Sequence, residues 1–321
     1  MDAPDISVVL IIDGLRDRAG AALHSVLAQD SDGRVEVVLV DCAAGRMDPL
    51  PASADPRVTV LAGSVGLTFG RLRADAVRAA GAPLVAFLEE HCTACPGWLQ
   101  AIVRAHGQGW KAIGPEIRNG NPQSQVSRVL AQAFWRPWLQ PAVSGEADLL
   151  PGHNTAYDRE LLLSLGSELD DLMQVDLILQ RRLQQLGQRL YLEAGAGVEH
   201  LNESTLGAAF GSYFHWNRLF GAARAAQPDW PASRRLAWAL ASPLVPWVRV
   251  ARWIRESAAG HRKQFLRSLG LVPMLLVFHS VAAVGHAMGL LWGAGGSHRA
   301  FLEQELNLTQ RAGPSRTAVR A

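Results

Sequence analysis

Cysteine is scarce in this chain and lysine nearly absent. The 321 residues include three cysteines, Cys42, Cys92 and Cys95, too few for a disulfide framework and typical of a reducing compartment. Cys92 and Cys95 form a CxxC directly after His91, but no second CxxC completes a structural zinc site. A redox role for the pair stays open beside a structural one. The only lysines are Lys111 and Lys263, and the net charge is +2. That balance excludes the concentrated basic face of a nucleic-acid binder. Charged residues make up 19% of the chain and hydrophobic ones 49%, an apolar balance for a freely soluble enzyme. No basic stretch precedes the opening apolar run, which turns polar at Asp13, so it reads as a first strand and not a signal peptide.

The first hundred residues alternate strand and helix patterns. Ser7 to Ile12 is a continuous apolar run, as in a strand buried on both faces. Helical periodicity follows over Ala19 to Gln29. Val35 to Val40 and Arg57 to Ala62 read as strands, Gly70 to Ala80 as a helix, and Leu84 to Leu88 as a fourth strand. Short connections between them predict a parallel sheet with helices on both faces. Further on, the pattern predicts a strand over Ala112 to Ile117 and a helix over Ser127 to Leu139. A loop at LPGHNTA enters a helix near Arg159. One amphipathic helix is expected over Asp170 to Leu186, ended by Gly187, then a strand over Arg189 to Glu193, with Val198 to Leu201 bringing His200 to an edge.

From about Thr205 the chain becomes helical and aromatic. Leu236 to Ile254 is rich in Trp and Val, with Arg249, Arg252 and Arg255 at every third position. Leu269 to Ala294 contains no Asp, Glu, Lys or Arg, long enough to cross a bilayer, although Pro273, His279, His286 and several glycines also suit a buried helical hairpin. The upstream basic cluster Arg249, Arg252, Arg255, Arg262, Lys263 and Arg267 suits an anionic membrane surface. The tail after Thr309 has a disordered composition. The expected organisation is an α/β domain over 1–204, a helical membrane-associating region over 205–310 and a tail over 311–321.

The densest chemistry lies in VAFLEEHCTACPGWL, Val85 to Leu99. An apolar strand runs into Glu89, Glu90 and His91, then a Pro-Gly-Trp turn. Ligands of α/β sheets bind beyond the carboxyl ends of parallel strands, so this cluster is either a binding site or a solvated acidic turn.

These stretches together resemble the family 2 glycosyltransferases over roughly Asp5 to Asn202. SVVLIIDGLRD is similar to the family's first strand and nucleotide loop. EVVLVDCA resembles its second strand, VGLTFGRLRADAVRAAG the segment beneath the sugar nucleotide, and VAFLEEHCTACPGWL the metal motif. PGHNTAYDRELLLSLG resembles the acceptor-side loop and helix, and DLILQRRLQQLGQRLYLEAGAGVEH the helix and strand after the catalytic acid. The resemblance implies a GT-A fold with a mostly parallel sheet. It also implies transfer of a sugar from a nucleotide-diphosphate sugar, assisted by Mn²⁺ or Mg²⁺ and with inversion.

Carried onto this sequence, the resemblance places Asp13, Asp41, Arg73, Glu89, His153 and Asn154 around the nucleotide sugar. The cation would fall to Glu89, Glu90, His91 and His200; an imidazole in that motif shifts preference away from Mg²⁺. Two departures stand out. Cys42 occupies the usual place of a second acid, and the family's acidic pair falls on Met173-Gln174. Asp176 is then the expected base, with Asp170 and Asp171 as alternatives that equally suit helix caps. The expected acceptor is a polyprenyl-linked or other cell-envelope glycan at the cytoplasmic side of the membrane. A lapsed site that binds but no longer transfers is the rival expectation.

Overall fold

A computed structural model describes residues 4–29, 35–258 and 269–307. A nine-stranded sheet runs in the order β3-β2-β1-β4-β8-β6-β9-β5, with β7 alongside β9. The first four strands are β1 (Ile6–Ile12), β2 (Val35–Asp41), β3 (Val58–Ala62) and β4 (Leu84–Phe87), all parallel. Every residue of β1 and β4 is buried, which is why both read as unbroken apolar runs rather than alternating ones. Because these strands are parallel, their carboxyl ends deliver Asp13, Asp41 and Glu89 to one edge of the sheet.

The second half of the sheet is mixed. β8 (Ala156–Asp158) inserts antiparallel between β4 and β6 (Ala112–Asn119), and β9 (Leu190–His200) runs parallel to β6. β5 (Cys92–Ala94) and β7 (Gly145–Ala147) pair antiparallel with β9. The two strand segments expected around Arg189 and Val198 are therefore one long strand, bulged against Pro115 and Glu116. Pairing of Cys92 with His200 brings the metal motif and the end of β9 together.

Helices α1 (Arg16–Leu27), α2 (Phe69–Ala79) and α3 (Trp98–Gly107) follow their strands. Thr68 caps α2, its side chain accepting the Arg71 N–H. The helix expected from Ser127 is α4 (Gln125–Leu130), continued through a π turn at Ala131–Trp135 and a 3₁₀ turn at Arg136–Trp138. α5 is Arg159–Leu163.

The single helix expected over Asp170 to Leu186 is instead two, α6 (Leu169–Leu172) and α7 (Asp176–Gln185). Arg73 Nη1 donates to the Met173 carbonyl at 2.8 Å, and Gln174 Oε1 accepts the Gly70 N–H at 3.0 Å. These tertiary bonds compete with helix continuation, and Val175 takes an extended conformation. Gly187 ends the second helix at φ +79°, as the pattern expects.

The C-terminal region comprises α8 (Leu206–Ala225), α9 (Ala232–Ala241), α10 (Val245–Ala258), α11 (Val272–Trp292) and α12 (Ser297–Asn307). α11 lies inside the uncharged stretch and is long and apolar enough to cross a membrane, yet 44% of its most apolar window is buried within the protein. It crosses α8 at near backbone contact. A Cβ on Gly289 would meet the Arg218 carbonyl oxygen at 2.1 Å, and one on Gly221 the His286 carbonyl oxygen at 2.3 Å. Gly289, one of the glycines that weaken the sequence case for a simple span, allows the crossing together with Gly221 of α8. α12 returns to the α/β domain, and Phe301, Leu302 and Leu306 join the main hydrophobic core. Arg262, Lys263, Arg267 and the tail over 311–321 lie outside the described residues.

Candidate active site

The site forms where β4 ends. Glu89, Glu90 and His91 are all buried there, at 7%, 2% and 2% exposure, so the solvated-turn reading of this cluster does not hold. Glu89 is clamped: its Oε2 accepts from Asn154 Nδ2 at 2.6 Å, its Oε1 lies 2.9 Å from His153 Nδ1, and its N–H donates to Asn154 Oδ1. Burial alone would raise the Glu89 carboxyl, but the His91, His153 and His200 imidazoles outweigh it and hold the group well below the ordinary range.

His153 bridges Glu89 to Asp176, its Nε2 standing 3.1 Å from Asp176 Oδ2. The other Asp176 oxygen, Oδ1, accepts from Arg73 Nη2 at 2.8 Å. Burial opposes charge on His153, but the two carboxylates prevail and push its pKa up to about 10. Against the same cost of burial, Arg73 and then His153 pull Asp176 down to about 2. Gly152 permits this approach, because a Cβ there would meet Asp176 Oδ2 at 2.8 Å. The Gln180 side-chain amide clasps both backbone groups of Leu150, tying the loop to α7.

On the opposite side of Glu89, His91 Nε2 faces His200 Nε2 at 3.1 Å. Glu89 Oε2 lies 3.4 Å from that His200 nitrogen and 3.7 Å from the His91 one. Ligands about 2.1 Å from one cation lie roughly 3.0–3.4 Å apart, close to these spacings, so the donor set fits a divalent ion. Cys92 Sγ joins the same group, 3.7 Å from Glu89 Oε2. Glu90 has a different place from the one the resemblance implies: its Oε2 accepts from His91 Nδ1 at 3.1 Å. That bond orients the imidazole so that its Nε2 lone pair faces the cluster, the outer-shell role of a carboxylate behind a ligand histidine.

A cavity of about 210 Å³ opens onto Glu89, His153, Asp176 and His200. Its far walls are aromatic: Phe134, Trp135, Trp138, Tyr213, Trp216 and Phe220, with Arg249 among the lining residues. The Trp135 ring packs against His200 with centroids 4.6 Å apart and planes tilted by 54°, and its indole N–H donates to Asn202.

A glycosyl transferase family 2 profile matches residues 7–166, spanning β1, the metal motif and the His153 loop. The chain belongs to glycosyl transferase family 2. The glycosyltransferase resembles the Pyrobaculum calidifontis mannosyltransferase PcManGT, solved with GDP-mannose and Mn²⁺, at 17% identity and a TM-score of 0.53, over 91% of this chain and 88% of that one. GalNAc-T7, solved with UDP, GalNAc and Mn²⁺, matches at 16% identity and a TM-score of 0.49 over 62% of this chain. The glycosyltransferase spans only 43% of that enzyme's length. No curated protein matches the sequence. The fold is GT-A, as the resemblance implied.

Several expected residues fall elsewhere or act indirectly. Asp170 pairs with Arg71 and Arg78, and Asp171 is exposed; neither lines the cavity, and both leave the candidate base set. Arg73 is buried, lies over the Phe87 ring at 4.4 Å and is held by Asp176, so it braces the site from behind. Asn154 is spent on Glu89 rather than on a ligand. Asp13 and Asp41 stand at the sheet edge with Arg46 and Arg16 as partners, at 2.7 and 3.0 Å. Burial, then Asp13 and Asp41, push the Cys42 thiol up to about 12, so it offers no charge in place of the missing acid. All three cysteines are buried and none forms a disulfide. Glu305 of α12 was missed altogether: no motif surrounds it, yet it lines the cavity.

Proposed function

We propose that this glycosyltransferase moves a sugar from a nucleotide-diphosphate sugar to a lipid-linked, cell-envelope glycan acceptor, with inversion at the transferred carbon. The observation that carries the reading is the aromatic cavity beside the Glu89–His91–His200 cluster. Aromatic walls suit both sugar faces and apolar chains, and Arg249 adds a cation suited to phosphate. A divalent cation held by Glu89, His91 and His200 would neutralise charge developing on the leaving diphosphate. Asp13 and Asp41 face the nucleotide end. Asp176 takes the proton of the attacking hydroxyl from the cavity side, and His153 keeps that carboxylate and Glu89 in fixed relation.

Membrane association belongs to the same reading. Leu240, Leu244, Trp247 and Val248 on the α9–α10 stretch are exposed at 57–73%, beside exposed Arg252 and Arg255. An apolar face rimmed with arginine suits the interface of an anionic leaflet, on the cytoplasmic side where nucleotide sugars are made available. The 1–204 unit would then carry the catalytic groups at the strand ends, and the 205–310 region part of the cavity wall and the membrane contact.

One observation favours the rival reading, a binding protein that no longer transfers. Gln174 stands where the family keeps an acid, and both Asp176 oxygens are already engaged. The two part on a direct assay. The full chain is incubated with UDP- and GDP-sugars, Mn²⁺ and polyprenyl-linked acceptors in liposomes, with nucleotide release and labelled product measured. Transfer that disappears in Asp176→Asn supports the enzyme. Donor-induced thermal stabilisation without turnover supports the binding protein; saturation at a hundred times Kd adds about 2.7 kcal/mol.

A further inference from the structure

Glu305 lies far along the chain from the metal motif, and no part of the family match reaches it. Its helix nevertheless packs onto the strand tips. Phe301 meets the Phe69 ring edge-on at 6.3 Å and the His153 ring at 5.9 Å. Leu306 and Glu305 line a small recess with Val9, Ile11, Phe87 and Glu90. Glu305 is only 5% exposed, and a carboxylate buried among apolar side chains is costly unless opposite charge is close.

The Glu305 carboxylate lies where the cluster needs it. Its Oε1 lies 3.7 Å from His91 Nε2. The same nitrogen has His200 Nε2 at 3.1 Å and Glu89 Oε2 at 3.7 Å. Glu305 also groups with Glu89 and His153, their ligand atoms all within 4.8 Å of one another. His91 Nε2, aimed by Glu90, thus has donors from two other segments of chain beside it, His200 and Glu305, together with the nearby Glu89.

We propose that Glu305 completes the cation-ligand set begun by Glu89, His91 and His200, so that cation binding and docking of α12 over the strand tips are one event. The proposal rests on the metal-assisted reading above and deepens it. Two imidazoles and two carboxylates favour Mn²⁺ over Mg²⁺. α12 then senses the loaded site: the bound cation adds a tie at Glu305 to the apolar packing and the Ser297–His215 hydrogen bond that already hold the helix.

The test uses the full chain, with Mn²⁺ alone titrated by calorimetry and by the electron paramagnetic resonance of the free ion. Glu305→Gln is expected to weaken Mn²⁺ binding at least tenfold, while Glu303→Gln on the outer face of the same helix leaves it unchanged. Hydrogen exchange gives a second readout that needs no variant. Mn²⁺ is expected to slow amide exchange across 297–307 in the wild-type chain. Mn²⁺ affinity within twofold of wild type in Glu305→Gln overturns the proposal, as does unaltered exchange of α12 on loading. Should Glu305→Gln fail to fold, the wild-type exchange result decides. A wild-type chain that binds no Mn²⁺ removes the metal-assisted reading as well, whereas intact wild-type binding with an indifferent Glu305 removes this inference alone.

Discussion

His153 stands between two carboxylates, and its proton links the site to pH. Folding raises its pKa from 6.5 to about 10, so its contribution to stability is full below about pH 6.5 and is lost as pH climbs through 10. Asp176, lowered from 3.8 to about 2, contributes above about pH 3.8 and loses its contribution as pH falls through 2. In metal-free protein, melting temperature is therefore expected to be flat from about pH 4 to 6.5 and to decline on the alkaline side. His153→Gln should flatten that alkaline decline, which scanning calorimetry from pH 5 to 10 would measure. Asp176→Asn is expected to lower kcat about 10²- to 10⁴-fold, the range for a lost general base, read in the transfer assay. An unchanged kcat would reduce Asp176 to a brace for His153. The cluster itself was partly legible from residue types, because carboxylates and imidazole at a strand end are conspicuous. Which of them brace and which face the cavity was not, since Glu90 differs from Glu89 only in where packing turns it.

Among elements, the pair α8–α11 explains how an uncharged helix serves as a partner inside the protein. Its backbones touch at Gly221 and Gly289, leaving no room for a side chain. Gly289→Leu is expected to push the helices apart and cost several kcal/mol, in the range of severe overpacking, seen as a fall in denaturation midpoint. The neighbouring face on α9–α10 makes a different prediction. Leu240→Glu with Trp247→Glu should cut co-sedimentation with anionic liposomes severalfold while leaving the melting temperature within a few degrees, because both side chains are exposed. Binding unaffected by that pair would remove the membrane reading. At this scale the buried strands β1, β2 and β4 were readable because unbroken apolar runs bounded by turns admit few alternatives. The three-residue strands β5, β7 and β8 were not, being too short to show a period. Nor was the break between α6 and α7 readable, because it is imposed by Arg73 and Gly70 about a hundred residues upstream.

Across the whole molecule, the first and last described elements, β1 and α12, share one core. Ile6 to Ile12 and Phe301 to Leu306 belong to the same hydrophobic cluster. Removing everything after residue 296 deletes Phe301, Leu302 and Leu306 from it. At about 1.5–3 kcal/mol for each buried side chain, that loss is comparable with the whole net stability of an ordinary protein. The truncated chain is expected to show no cooperative melting transition. The α/β layout and the helical change of character near Thr205 could be read from pattern alone. The return of the last helix to the sheet could not, since amphipathicity shows which face of a helix is apolar but not which distant surface it covers.

This closure also bears on how the protein comes into being. During synthesis the strands that carry Glu89 and His91 emerge long before Glu305 exists, so a growing polypeptide holds its reactive groups without the final wall around them. Contacts between such remote segments slow folding. A nascent chain therefore encloses these groups only once residues 297–307 have emerged and packed back onto the sheet.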